Sequence, residues 1–135
     1  MIREIGASEN PSLPFSSATA FGDLVFVSGQ GGLSPETGEI AGQDLESQTV
    51  QTLENIRLIL AKADLTLQHI VKVNVYLKDR SHYKEFNEVY RRYFRSPYPS
   101  RTLVYCDLNY DLLVEIDAIA VVNREEGDER RDDRL

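Results

Sequence analysis

A single cysteine, two histidines and no apolar run of membrane-spanning length are the main scarcities of this 135-residue chain. With Cys106 alone, no intrachain disulfide can form and one subunit cannot assemble a thiolate metal site. A lone cysteine in such a chain reads as a small buried hydrophobe. His69 and His82 fall at element boundaries with no acid or cysteine at ligand spacing, so no metal is expected. No stretch approaches the roughly 20 apolar residues of a membrane helix. Met1 to Ile5 lacks the basic-then-apolar order of a secretory signal, which makes the cytoplasm the expected address.

Positive charge is also short. Fifteen Lys and Arg against 22 Asp and Glu leave a formal charge of −7, which argues against nonspecific binding to nucleic-acid phosphates. Arg91, Arg92 and Arg95 do cluster, but they read as a solvated helix end. Residues 124 to 135 hold six acids and four arginines with almost nothing apolar, the composition of a disordered tail. The folded unit is therefore expected over 1–123, one domain with a single core.

Within that unit the periodicity changes along the chain. Ser16 to Phe21 and Leu24 to Ser28 are short extended runs around Gly22-Asp23, a hairpin signature. Gly29 to Gly32 and Ser34 to Gly38 read as loop, where the sheet pauses. The glycine run lacks both the dinucleotide fingerprint and a Lys-Ser/Thr ending, so it is no phosphate cradle. Leu45, Thr49, Leu53, Ile56, Leu60 and Ala63 recur every three or four residues behind a capping Asp44, which predicts an amphipathic helix. His69 to Lys78 alternates, with Val71, Val73, Val75 and Leu77 on one face and Lys72, Asn74, Tyr76 and Lys78 on the other.

Ser81 can cap a second helix whose stripe is Tyr83, Phe86, Tyr90, Tyr93 and Phe94. Arg101 to Cys106 and Leu112 to Val122 complete the set as strands. The order predicts an α+β domain, a mixed sheet with two helices on one face. The last strand is apolar on both faces, Val114, Ile116, Ala118 and Ala120 against Leu113, Ile119 and Val121, so the second face also needs cover. A second copy of the chain is the simplest cover, and a homo-oligomer is expected.

Two ionic groups interrupt these apolar patterns, Arg101 and Glu115. Glu115 and Asp117 share the face of Leu113, Ile119 and Val121, whereas Arg101 shares that of Leu103 and Tyr105. By spacing alone they read first as a salt bridge across neighbouring strands, Arg101 with Glu115 or Asp117. If the faces coincide, a guanidinium fork and a carboxylate instead converge on a pocket suited to a small carboxylic acid.

Several segments resemble the RidA/YjgF family of reactive-intermediate deaminases: Val27-Ser28-Gly29-Gln30, Ala61 to Leu65, Ile70 to Asp79, Phe86-Asn87, Pro99-Ser100-Arg101 and Val114 to Val121. The likeness covers nearly all of residues 1–123. It implies a chorismate-mutase-like fold, a homotrimeric barrel with sites between subunits, and no metal or organic cofactor. It further implies that Arg101 clamps the carboxylate of a 2-imino or 2-enamino acid while Glu115 positions water for attack on the C=N carbon. Phe15, Ser28, Gly29, Asn87 and Leu103 then line the pocket, Leu103 through its carbonyl as a second holder of the water. Many members carry Tyr where this chain has Phe15 and Cys where it has Leu103, which removes a phenol and makes the pocket more apolar. Cys106 does not align with the family cysteine. Two other readings stand beside a deaminase: a regulatory trimer holding a 2-oxo acid without turnover, and an endoribonuclease, an activity associated with relatives of this fold.

Overall fold

Gly22, at φ +59°, turns the chain between β2 (Ala18–Phe21) and β3 (Leu24–Gly31), and the expected hairpin forms there. A two-residue strand that the sequence did not announce, β1 (Arg3–Glu4), pairs with the outer edge of β2. The computed structural model describes residues 1–6 and 10–122, so the tail expected from 124 onward lies outside the described residues.

Helix α1 (Leu45–Ala61) starts as predicted, with an Asp44 carboxylate oxygen accepting from the Ser47 N–H at 2.8 Å. It carries the chain from β3 to β4 (Ile70–Leu77), and α2 (Tyr83–Tyr90) carries it from β4 to the parallel strand β5 (Ser100–Tyr105). Parallel strands need such crossovers. The last strand, β6 (Val114–Val121), then inserts between β3 and β4, antiparallel to both, giving the order β1-β2-β3-β6-β4-β5. This is the expected α+β mixed sheet. Both helices cover one face, where Leu53, Ile56, Leu60 and Phe86 pack on Val25, Val73, Val75, Val114 and Ile116. No described helix is long and apolar enough to cross a membrane.

Four expectations change. The sheet does not pause at Gly29, because β3 continues to Gly31 through a register shift between Val27 and Gln30. Buried polar side chains of α1 fix that stretch: Asn55 Nδ2 donates to the carbonyls of Gly31 (3.2 Å) and Leu33 (2.8 Å). Val71 does not join the apolar face, since a second shift between Ile70 and Lys72 puts Ile70 in the core and leaves Val71 46% exposed. Ser81 is not the cap; Asp79 accepts from the Ser81 N–H at 2.9 Å, and a short 3-10 turn, Arg80–His82, precedes α2. Cys106 is exposed, because it lies just beyond the edge strand β5.

Gln48 ties the loop before α1 to the start of β6. Its Nε2 donates to the Gly42 carbonyl at 2.9 Å and its Oε1 accepts from the Leu113 N–H at 2.8 Å, both from a fully buried side chain. Gln48→Ala leaves two backbone groups without these partners, so a loss of about 2–4 kcal/mol is expected. Urea denaturation checks it as a lowered midpoint with an unchanged slope.

Candidate active site

Strand register decides where the two interrupting charges point. Arg101 is paired with Val73, which is completely buried beneath the helices, so Arg101 lies on the helix side at the sheet edge. Glu115 is paired with Tyr76 and Gly31 on the opposite, open face. The two faces that the sequence allowed to coincide are therefore different faces. The groups are also two strands apart, about 10 Å along the sheet at the usual strand spacing. Neither the Arg101–Glu115 nor the Arg101–Asp117 bridge forms, and each charged group has its own surroundings on its own face of the sheet.

On the helix side lies a cleft of about 340 Å³ lined by Tyr83, Asn87, Tyr90, Arg91, Tyr98, Pro99 and Arg101. Spacings of four and three residues bring Tyr83, Asn87 and Tyr90 to one stripe of α2. Asn87 thus lines the same cleft as Arg101. Leu103, two residues on and paired with Val75, packs its side chain against the core. Among the described residues, no carboxylate pairs with Arg101; its neighbours are aromatic rings.

On the open face stands Glu115. A Cβ placed on Gly29 would sit 2.6 Å from Glu115 Oε2, so only glycine leaves that carboxylate its position. Ser28 donates from Oγ to the Ser16 carbonyl at 2.6 Å and from its backbone N–H to the Ser17 carbonyl at 2.9 Å. These bonds fasten the segment after Phe15 to the glycine stretch. Phe15 itself is 59% exposed. Ser28 and Gly29 are thus grouped with Glu115, while Asn87 and Arg101 are grouped apart from it.

Asp117 behaves differently from Glu115 although it shares the face. It accepts from Asn74 Nδ2 at 2.8 Å and from the Tyr76 hydroxyl at 2.9 Å, and that hydrogen bond holds the Tyr76 phenol above its usual range. Among the described residues no donor engages Glu115. Its carboxyl is pushed up from the usual range by burial and, secondarily, by the negative charge of Asp117. An unengaged carboxylate with a raised pKa is suited to accepting a proton.

Residues 6–122 match the family model described as endoribonuclease L-PSP. A RutC family protein of Pyrococcus horikoshii is 42% identical over 88% of this chain and 98% of its own length. The chloroplastic Reactive Intermediate Deaminase A of Arabidopsis thaliana is 37% identical over 81% of this chain and 59% of its own. The crystal structure of Escherichia coli TdcF with bound serine superposes with a TM-score of 0.82 at 33% identity, covering 90% of this chain and 99% of that one. The chain belongs to the RidA/YjgF family.

Several features of this RidA/YjgF chain were not picked out from its sequence. Tyr83 and Tyr90 read as parts of an apolar stripe, yet they also wall the Arg101 cleft, and Tyr98 joins them from the segment before β5. The Asn74–Tyr76–Asp117 network was missed as well. Alternation had already put Asn74 and Tyr76 on the polar face of β4, but only the pairing with β6 shows that Asp117 meets them. Among the described residues no group of three or more His, Cys, Asp or Glu could hold a metal ion.

Proposed function

We propose that this protein hydrolyses reactive 2-imino and 2-enamino acids, such as 2-iminopropanoate and 2-iminobutanoate, to 2-oxo acids and ammonia. The observation that carries this reading is a guanidinium and a carboxylate, each lacking an ionic partner among the described residues, the guanidinium lining a cleft and the carboxylate packed beside Gly29 on the open face of the sheet. The deaminase name borne by the Arabidopsis relative and the serine bound to TdcF, a small molecule with a carboxylate, point the same way.

A bidentate guanidinium fixes a planar carboxylate in orientation as well as position. With the substrate so held by Arg101, Glu115 takes a proton from water as the water oxygen bonds to the C=N carbon. The protonated imine nitrogen takes up the C=N electron pair, and a neutral carbinolamine results. Glu115 then gives its proton to that nitrogen, the C–N bond breaks with its electrons leaving on ammonia, and Glu115 takes the hydroxyl proton as the 2-oxo group forms. Ser28, Gly29, Phe15 and Asn87 shape the cavity, and the Leu103 carbonyl helps hold the water. Because one chain keeps Arg101 and Glu115 apart, the working site joins the Arg101 cleft of one subunit to the Glu115 face of the next, in a homotrimer. The half-exposed apolar groups of the open face, Leu24, Phe26 and Ile119, supply contact area for it.

The test generates 2-iminobutanoate in place with a dehydratase and follows ammonia release. Parent protein is expected to accelerate release. Arg101→Ala should lose about 10–150-fold in kcat/KM, the worth of a hydrogen-bonded charged contact of about 1.5–3 kcal/mol. Acceleration that survives Arg101→Ala unchanged would sink the proposal. Binding of 2-oxobutanoate with no acceleration by the parent would instead favour a ligand-binding trimer.

A further inference from the structure

Arg101 is held by rings. Its guanidinium carbon lies 4.9 Å from the Tyr90 ring centre, 5.7 Å from that of Phe86 and 6.0 Å from that of Tyr83. These rings are braced in turn: Tyr90 stacks on Phe94 at 4.5 Å and tilts against Phe86 at 5.6 Å, with Phe86, Tyr90 and Phe94 all buried. An ion pair in this place would use the N–H donors of the guanidinium and have to be broken before a ligand bound. Ring faces attract the cation while leaving its N–H edge free, and a carboxylate needs that edge.

We propose that the aromatic shelf of Tyr83, Phe86 and Tyr90 preorganises Arg101 as a carboxylate receptor, with Tyr90 as its principal positioning residue. The proposal rests on the reading of Arg101 as the substrate's anchor and deepens it. Tyr90 is closest to the cation, and its hydroxyl oxygen is buried with no hydrogen-bond partner. Burial pushes that phenol up to about 12 although the charge of Arg101 opposes the shift, so Tyr90 stays neutral and cannot serve as the arginine's counter-ion. What it offers Arg101 is the face of its ring. Phenylalanine would offer the same face without the orphaned hydroxyl, which makes the conservative variant informative.

Calorimetric titration of the full-length protein with 2-oxobutanoate tests this. Tyr90→Leu is expected to weaken binding by about tenfold, and Tyr83→Leu, at the greater distance, by about threefold. Tyr90→Phe should recover the binding lost in Tyr90→Leu and melt at a higher temperature than the parent, because the unpaired hydroxyl is gone. In turnover the two leucine variants should raise KM with kcat little changed, since Arg101 grips the carboxylate before and during the reaction. Tyr83 is 44% exposed, so its variant keeps the test open should Tyr90→Leu fail to fold.

Arg101→Ala separates the two levels of the argument. If it binds 2-oxobutanoate as the parent does, the reading of Arg101 as anchor falls. If Arg101→Ala loses binding while Tyr83→Leu and folded Tyr90→Leu bind like the parent, the shelf alone is overturned. Equal losses in Tyr90→Phe and Tyr90→Leu would overturn it too, because the hydroxyl and not the ring face would then carry the effect.

Discussion

Glu115→Gln is expected to lower turnover of 2-iminobutanoate by about 10²–10⁴-fold, the usual contribution of a positioned acid–base group. The same change should stabilise the fold at neutral pH. Burial and Asp117 raise the Glu115 pKa above its unfolded value near 4.5, so the folded chain binds that proton more tightly than the unfolded one. Stability is therefore lost as pH rises from about 4.5 through the folded pKa, and the loss persists above it. Glutamine cannot ionise and avoids the loss. Melting temperatures of Glu115→Gln and its parent should coincide near pH 4 and separate in favour of the variant near pH 7.5.

The comparison is cleanest in an Arg101→Ala background, where no neighbouring guanidinium offsets the raised pKa. A gap of equal size at both pH values would rule out ionisation of Glu115 as its cause. Burial and Asp117 should also push up the acid limb of kcat/KM, which reports the ionisation of Glu115. Asp117→Asn should move that limb to lower pH by removing the second cause of the shift. Loss of activity together with gain of stability separates a working carboxylate from a structural one, whose removal would cost stability at neutral pH.

What the sequence made legible follows from which interactions are local. Helix α1 and the buried face of β6 were readable because their periodicity is the imprint of one core on one element. The bulges were not, since a register shift belongs to two strands at once. Val71 continues the alternation of β4 perfectly, yet pairing with β6 turns it outward. Gly29 to Gly31 has the composition of a loop, and only the remote contacts from Asn55 and β6 keep it in the sheet. Arg101 and Glu115 show the same division at the level of function. Their presence was legible as charge interrupting an apolar pattern. Their separation was not, because it depends on β6 entering between β3 and β4 and on which face each pairing selects.

That separation leads to the second large expected effect: two impaired variants should restore activity to each other. Arg101→Ala subunits retain Glu115, and Glu115→Gln subunits retain Arg101. Because the two groups occupy opposite faces of one sheet, the proposed site is intact only where the Glu115 face of one subunit meets the Arg101 cleft of a different one. In a cyclic trimer containing both variants, whatever their ratio, one of the interfaces presents that combination, so about one site in three should work. Each variant carrying a different affinity tag, with the two co-expressed and mixed oligomers isolated through both, should show about a third of parental ammonia release. The variants purified separately and combined without subunit exchange should show only their own residual rates. A chain carrying both substitutions, mixed with either single variant, should gain no activity over that variant, since one charge is then missing from every interface. Mixed oligomers no more active than the separate variants would mean that the site does not lie between chains, and that Arg101 and Glu115 do not serve one reaction centre.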